Sequence, residues 1–233
     1  MKKGNQYADG EAIGNRKLDC GGDTMKKNEE IEWKLQVTNE DFWPEIAAFI
    51  SSLPDIIERQ HIAMAAHYFD TKDRQLNKNR IAYRIRMENE TLVATLKAGG
   101  SSVGGLHKRL EANASVKSSL PDLSVFADVD EVKAVVDFLQ AVPLYEIVAT
   151  DFVREAVLVM YKKSRIEIAM DKGLIRANGK VERIAEVELE LKDGSEEDLA
   201  LLGTELCNRF PLKPEAKSKY YRGLLLYGTV SDE

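Results

Sequence analysis

Five stretches of the chain set charged residues two positions apart. Glu30, Glu32 and Lys34 alternate with Ile31, Trp33 and Leu35. Arg84 and Arg86 alternate with Tyr83, Ile85 and Met87, and Thr95 and Lys97 with Ala94 and Leu96. Arg109, Glu111 and Asn113 alternate with Leu110 and Ala112, and Glu186, Glu188 and Glu190 with Val187, Leu189 and Leu191. Period two is the period of a strand, so each stretch has one apolar face and one ionic face. An antiparallel sheet with one wet face also alternates. Solvated strand faces, however, mix Thr, Ser, Gln and Lys, whereas these are nearly pure Arg/Lys or pure Glu. Arg-x-Arg and Glu-x-Glu-x-Glu hold like charges about 7 Å apart, where they repel. Folding gains nothing from that, but a polyanion held with divalent cations requires it. Arg and Lys neutralise and orient phosphate oxygens, and carboxylates hold Mg²⁺ or Mn²⁺, which bridge to further phosphate oxygens.

The elements that must position these residues follow from the same periodicity. The alternation predicts strands from Glu30, over Ala65–Asp70, Arg80–Glu88, Thr91–Ala98 and Leu106–Asn113, and then over Glu146–Met160, Arg165–Asp171 and Glu182–Leu191. Turns are expected at Asn89-Glu90, Asp171-Lys172-Gly173 and Asn178-Gly179, and loops over Gly99–Gly105 and Ser115–Leu123. Helices are expected over Glu40–Leu53, capped by Thr38 or Asn39, over Val129–Leu139, from Ser195 to Arg209 with Asp198 closing a capping box, and over Glu215–Leu226. Most connections between strands are too short for parallel crossovers. The expected fold is therefore mostly β, an α+β chain built on a closed eight-stranded antiparallel barrel. Its apolar outside lies under the helices, and its charged interior is wide enough for one small ligand.

Composition bounds the rest. The chain has 233 residues, 44% hydrophobic and 31% charged, with 33 Lys and Arg against 39 Asp and Glu, a net charge of −6. That is ample material for a core, and the sign argues against whole-surface binding of nucleic acid. Two cysteines, Cys20 and Cys207, exclude a disulfide scaffold. There is no apolar run near the roughly 20 residues of a membrane span, and no secretory signal pattern, so the expectation is a cytoplasmic protein. Residues 1–27 read as a flexible leader, 28–228 as the folded domain and 229–233 as a tail.

An ordered series of motifs resembles the CYTH superfamily, the triphosphate tunnel metalloenzymes. Glu30-Ile31-Glu32-Trp33-Lys34 is similar to the ExExK opening of that family. Tyr68-Phe69-Asp70-Thr71, Tyr83-Arg84-Ile85-Arg86 and Thr95-Leu96-Lys97 follow in order, then Gly105-Leu106-His107-Lys108-Arg109-Leu110-Glu111. Asp151-Phe152-Val153-Arg154, Ile168-Ala169-Met170-Asp171-Lys172-Gly173, Glu186-Val187-Glu188-Leu189-Glu190-Leu191 and Lys217-Ser218-Lys219 complete the series. Gly104-Gly105-Leu106-His107, the Asp151–Arg154 stretch and the Glu-Leu-Glu-Leu run look most like the bacterial inorganic triphosphatase branch. Members of that branch often carry a C-terminal CHAD domain, which this sequence is expected to lack.

The resemblance implies a tunnel that binds a triphosphate group with Mg²⁺ or Mn²⁺. It implies phosphate contacts from Lys34, Arg84, Arg86, Lys97, Arg109 and Arg154, joined by Lys217 or Lys219. It implies metal ligation by Glu30, Glu32, Glu186 and Glu188, with Glu111, Asp171 and Glu190 as further acidic candidates. Glu30 or Glu186 is expected to orient or deprotonate the attacking water, with Lys34 beside the reacting phosphate. Asp171 can equally serve a turn, Glu190 can continue a wet face, and Arg154 can pair structurally. The implied reaction is hydrolysis of tripolyphosphate to pyrophosphate and phosphate. The alternatives are a nucleoside or thiamine triphosphatase, a class IV adenylate cyclase, or a non-catalytic polyphosphate-binding module. The expected partner is a small molecule, with neither nucleic acid nor membrane. The sequence leaves the oligomeric state open, a homodimer included.

Overall fold

The computed structural model describes residues 26–103, 106–139 and 141–228. Most of the expected leader, the C-terminal tail, Gly104, Gly105 and Cys20 lie outside the described residues. Eight long strands form one antiparallel sheet: β1 (Lys26–Val37), β2 (Ile56–Asp70), β3 (Ile81–Glu88), β4 (Thr91–Val103), β5 (Leu106–Ser115), β6 (Tyr145–Tyr161), β7 (Ser164–Ala177) and β8 (Lys180–Asp193). The sheet runs β5-β4-β3-β2-β6-β7-β8-β1, and pairing of β5 with β1 closes it into a barrel. A short β9 (Leu212–Pro214) adds to β1 outside the closed circuit. Closure removes the free edges that an open sheet would expose.

The apolar faces are covered in three places, the third being where Tyr220 and Leu224 of the last helix pack on Val148, Ile175 and Ile184. Helix α1 (Trp43–Ser52) and helix α4 (Glu196–Arg209) bury Trp43, Ile46, Ile50, Leu199, Leu202 and Leu206 against Leu35, Ile166, Ile168, Val187 and Leu189. Gly203 allows the close approach of α4, because a Cβ there would lie 2.2 Å from the Trp33 ring. The second cover is α2 (Gln75–Lys78), a 3-10 turn over Leu123–Phe126 and α3 (Lys133–Leu139), which pack on Tyr83, Ile85, Ala94, Leu96 and Ala112. Helix α5 (Lys219–Tyr227) lies against β6, β7 and β8, capped by Ser218 and ended by Gly228 at φ 87°. Among the described residues no helix is long and apolar enough to cross a membrane.

Several local expectations are corrected. Asp171-Lys172-Gly173 is not a turn, because β7 runs through it and Arg154, Val153 and Phe152 of β6 pair opposite. Gly173 is required there by a close approach, not by a bend: a Cβ would fall 2.1 Å from the Asp151 carbonyl oxygen. The turn residues are Asn178 and Gly179, with φ of 50° and 73°. β2 begins nine residues earlier than expected; its first half is mostly exposed and polar, so burial leaves no alternation to read. The Gly/Ser stretch continues β4 to Val103, with a register shift after Ala98 beside Gly99 at φ 61°. Ser195 does cap α4, accepting from the Asp198 amide, but the Asp198 carboxylate accepts the Ser164 hydroxyl instead of closing a capping box.

Candidate active site

The ionic faces of the strands converge on a cavity of about 610 Å³ inside the barrel. Among the described residues eight cations line it: Lys34, Arg84, Arg86, Lys97, Arg109, Arg154, Lys192 and Lys219. Seven described carboxylates share the wall: Glu30, Glu32, Glu88, Glu111, Glu167, Glu188 and Glu190. Most of these charges are held in ion pairs of good geometry.

One group spans β1, β4 and β5. Lys97 Nζ lies 2.6 Å from Glu30 and 2.6 Å from Glu111. Arg109 donates from Nε to Glu30 at 2.8 Å and from its terminal nitrogen to Glu32 at 2.8 Å. Register explains the contact, since Glu30 stands opposite Arg109 and Lys97 opposite Glu111. Burial would raise the Glu30 carboxyl, but Lys97 and Arg109 outweigh it and hold it below its ordinary range. Burial would likewise raise Glu111, and Lys97 and Arg84 hold it far down.

The second group spans β6, β7, β8 and α5. Lys219 Nζ lies 2.8 Å from Asp171, 2.7 Å from Glu186 and 2.8 Å from Glu188. Arg154 grips Asp171 with two nitrogens, at 2.8 and 2.7 Å, and also reaches Glu188. Arg222 of α5 pairs with Glu186 from behind, and with Glu182 at 2.6 Å. Lys34 joins the two groups, 3.1 Å from Glu32 and 3.0 Å from Glu188. Burial opposes ionisation of Glu188, but Lys219, Lys34 and Arg154 hold it well below the carboxylate range. Burial opposes the Lys219 charge too, and Asp171, Glu186 and Glu188 raise that ammonium well above its usual value.

Two guanidiniums are differently placed. Arg84 donates to the Tyr68 hydroxyl at 3.1 Å, and Arg86 pairs with Glu88. The Nε of each is buried without a partner. Burial, with Arg84 and Arg154 nearby, pushes Arg86 down to about 10. A cation held that unfavourably is one that an incoming anion relieves.

The cavity therefore gathers Glu30, Glu32, Lys34, Arg84, Arg86, Lys97, Arg109, Glu111, Arg154, Glu188, Glu190 and Lys219. Of the two tail lysines, Lys219 is the one on the wall; Lys217 is half-buried in the segment before α5 and is not a lining residue. Asp171 and Glu186 are both 0% exposed and lie beneath Lys219. Sequence reasoning missed Glu88, Glu167, Lys192 and Tyr68 on the wall and Arg222 behind it. Glu167 and Tyr68 do sit on strands at inward-facing positions. Lys192 continues the Glu186–Glu190 period, while helical Arg222 leaves no strand signal.

Oxygen donors of this kind suit a hard divalent cation. Asp171, Glu186 and Glu188 each offer an oxygen within 4.8 Å of the others, but the Lys219 ammonium stands among them. Glu32 and Glu190 are different. They face each other in register across β1 and β8, and among the described residues their ion pairs go to different cations, Lys34 and Arg109 for Glu32 and Lys192 for Glu190.

A closed antiparallel tunnel with an ionic interior defines the class of fold. The sequence profile of the CYTH domain matches residues 28–224, and the chain belongs to that family. Over 201 residues it is 32% identical to the inorganic triphosphatase of Haemophilus influenzae, covering 85% of this chain. It spans only 55% of the length of that relative. Among solved structures, a Hippeastrum adenylyl cyclase homologue described as having a dominant triphosphatase activity superposes with a TM-score of 0.61 at 18% identity, covering 86% of this chain and 95% of the other. A Bacillus halodurans protein described as an adenylate cyclase homologue gives 0.52 at 23% identity, covering 84% and 97%. Both likenesses show the fold.

Proposed function

We propose that the chain is a divalent-metal-dependent hydrolase that cuts inorganic triphosphate into pyrophosphate and phosphate. The observation that carries this reading is the near balance of cations and carboxylates along one enclosed wall. Tripolyphosphate would take over the Lys and Arg side chains and leave the carboxylates unpaired. Divalent cations would then compensate those carboxylates, so both charge sets have a use in the loaded tunnel. The 32% identity to an inorganic triphosphatase supports the same substrate.

Glu32 and Glu190 are the first pair to hold the metal, with Glu30 and Glu188 next along the same faces. Bound there, Mg²⁺ or Mn²⁺ would neutralise charge on the phosphate oxygens. Arg84, Arg86, Lys97, Arg109 and Arg154 would orient the chain of phosphates, and Lys34 and Lys219 would close around it. Glu30 is the better base for the attacking water, because it lies on the cavity wall whereas Glu186 lies beneath Lys219. Positioning and charge stabilisation are most of what phosphoryl transfer asks of a protein.

A second reading within the family has one observation in its favour. Ile62, Met64, Phe152, Ala156 and Leu191 give the same cavity an apolar stretch, which an organic triphosphate could use. Phosphate release from tripolyphosphate, ATP and thiamine triphosphate, with Mg²⁺ and with Mn²⁺, separates the two. Preferential turnover of tripolyphosphate is expected. Turnover of ATP to cyclic AMP with tripolyphosphate untouched would overturn the proposal.

A further inference from the structure

Tyr68 and Arg84 face each other in register across β2 and β3, and both line the cavity. Among the described residues, Arg84 is the lining cation with no carboxylate within 4.0 Å. Lys34, Lys97, Arg109 and Lys219 each have one or more, as do Arg86, Arg154 and Lys192. The side-chain partner of Arg84 is instead the Tyr68 hydroxyl, at 3.1 Å. A phenol oxygen accepts an N–H without cancelling the charge, so Arg84 stays a cation with no carboxylate bonded to it, although Glu111 and Glu30 act on it from a longer range.

The bond also settles what the phenol can do. A guanidinium only donates, so the Tyr68 oxygen must accept from Arg84, and its own O–H needs a different acceptor. The ring is held by stacking on Tyr220 of α5, with centroids 5.1 Å apart and planes at 23°. Burial would raise the phenol, but Arg84 draws it below its ordinary value, with Lys97 and Lys219 adding to the effect. That strengthens the O–H as a donor.

We propose that Tyr68 is a substrate-binding residue of this tunnel: its O–H donates to a phosphate oxygen while its oxygen aims the Arg84 guanidinium at the same anion. The proposal rests on the triphosphate reading above. It adds a neutral donor to a site otherwise described by its charges.

The test is a cycle of wild type, Tyr68→Phe, Arg84→Lys and the double variant, read in two ways. Tripolyphosphate hydrolysis gives KM and kcat, and calorimetric titration of metal-free protein with tripolyphosphate gives affinity without turnover. Tyr68→Phe keeps the stacked ring and is expected to raise KM and weaken affinity by about tenfold, with a much smaller effect in the Arg84→Lys background. A purely structural role would lower the melting temperature without this non-additivity. Wild-type KM and affinity in Tyr68→Phe would overturn the proposal, as would full additivity of the two substitutions. Wild type that binds but does not cleave tripolyphosphate would remove the hydrolase reading alone, and the titration would still decide Tyr68.

Discussion

Glu32 on β1 stands directly opposite Glu190 on β8, two carboxylates paired across an antiparallel ladder inside the barrel. Such like-charged neighbours repel at about 5 Å between Cβ atoms. Glu32 is partly compensated by Lys34 and Arg109. Glu190 has Lys192 at 2.7 Å, yet burial keeps its carboxyl above the ordinary range. A divalent cation between the two would relieve both. Mg²⁺ or Mn²⁺ should therefore raise the melting temperature of the wild-type protein. The shift should shrink or vanish in Glu190→Gln, and an equal shift in that variant would place the metal elsewhere.

Arg86→Ala should remove binding capacity at little structural cost. Burial and the neighbouring Arg84 already disfavour its charge, and among the described residues its ion-pair partner is Glu88. The expected result is a melting temperature at or above wild type, with KM for tripolyphosphate raised at least about tenfold. Circular dichroism that showed loss of fold would make Arg86 structural.

Lys219→Met should behave in the opposite way. It leaves Asp171, Glu186 and Glu188 facing one another without the ammonium that all three contact. Breaking a buried ion pair by removing one partner costs about 3–5 kcal/mol, and urea unfolding should show a loss of that order.

Acid should unfold the protein late. Glu30, Glu32, Glu111 and Glu188 are all held below their ordinary values in the folded state. Depressed carboxyls contribute stability that is fully present above the unfolded value, roughly 4.3, and is lost as pH falls through the folded values. The melting temperature should therefore hold down to about pH 5 and drop below it, and the drop should be shallower in Glu111→Gln. A decline that began near neutral pH would contradict this.

Gly173→Ala should destabilise the barrel by on the order of 1–3 kcal/mol, since backbone would have to move away from the new Cβ. Thermal unfolding would show it. A neutral result would mean that β6 and β7 can separate locally without cost.

How much of this was legible in the chain differs from residue to residue. Period two alone assigned Glu30, Glu32, Lys34, Arg84, Arg86 and Lys97 to one kind of face and Ile31, Tyr83 and Leu96 to the other, because side chains on a pleated strand have only two directions to take. Asp171 misled, since Asp-Lys-Gly has turn composition and only its pairing with Arg154 on the preceding strand β6 shows that the chain runs straight through it. The choice of Lys219 over Lys217 was equally out of reach, because it depends on where Ser218 starts α5 and how that helix meets β6, β7 and β8. The sequence by itself determined which of these residues share an ionic face, a local consequence of strand geometry. Only the tertiary structure decided which of them meet: that Glu186 lies beneath Lys219, that Glu32 faces Glu190, and that Arg84 rests on a phenol. Glu32 and Glu190 meet because the first and last long strands pair, Glu186 and Lys219 because α5 docks on β8, and Arg84 and Tyr68 because of the register of β3 on β2.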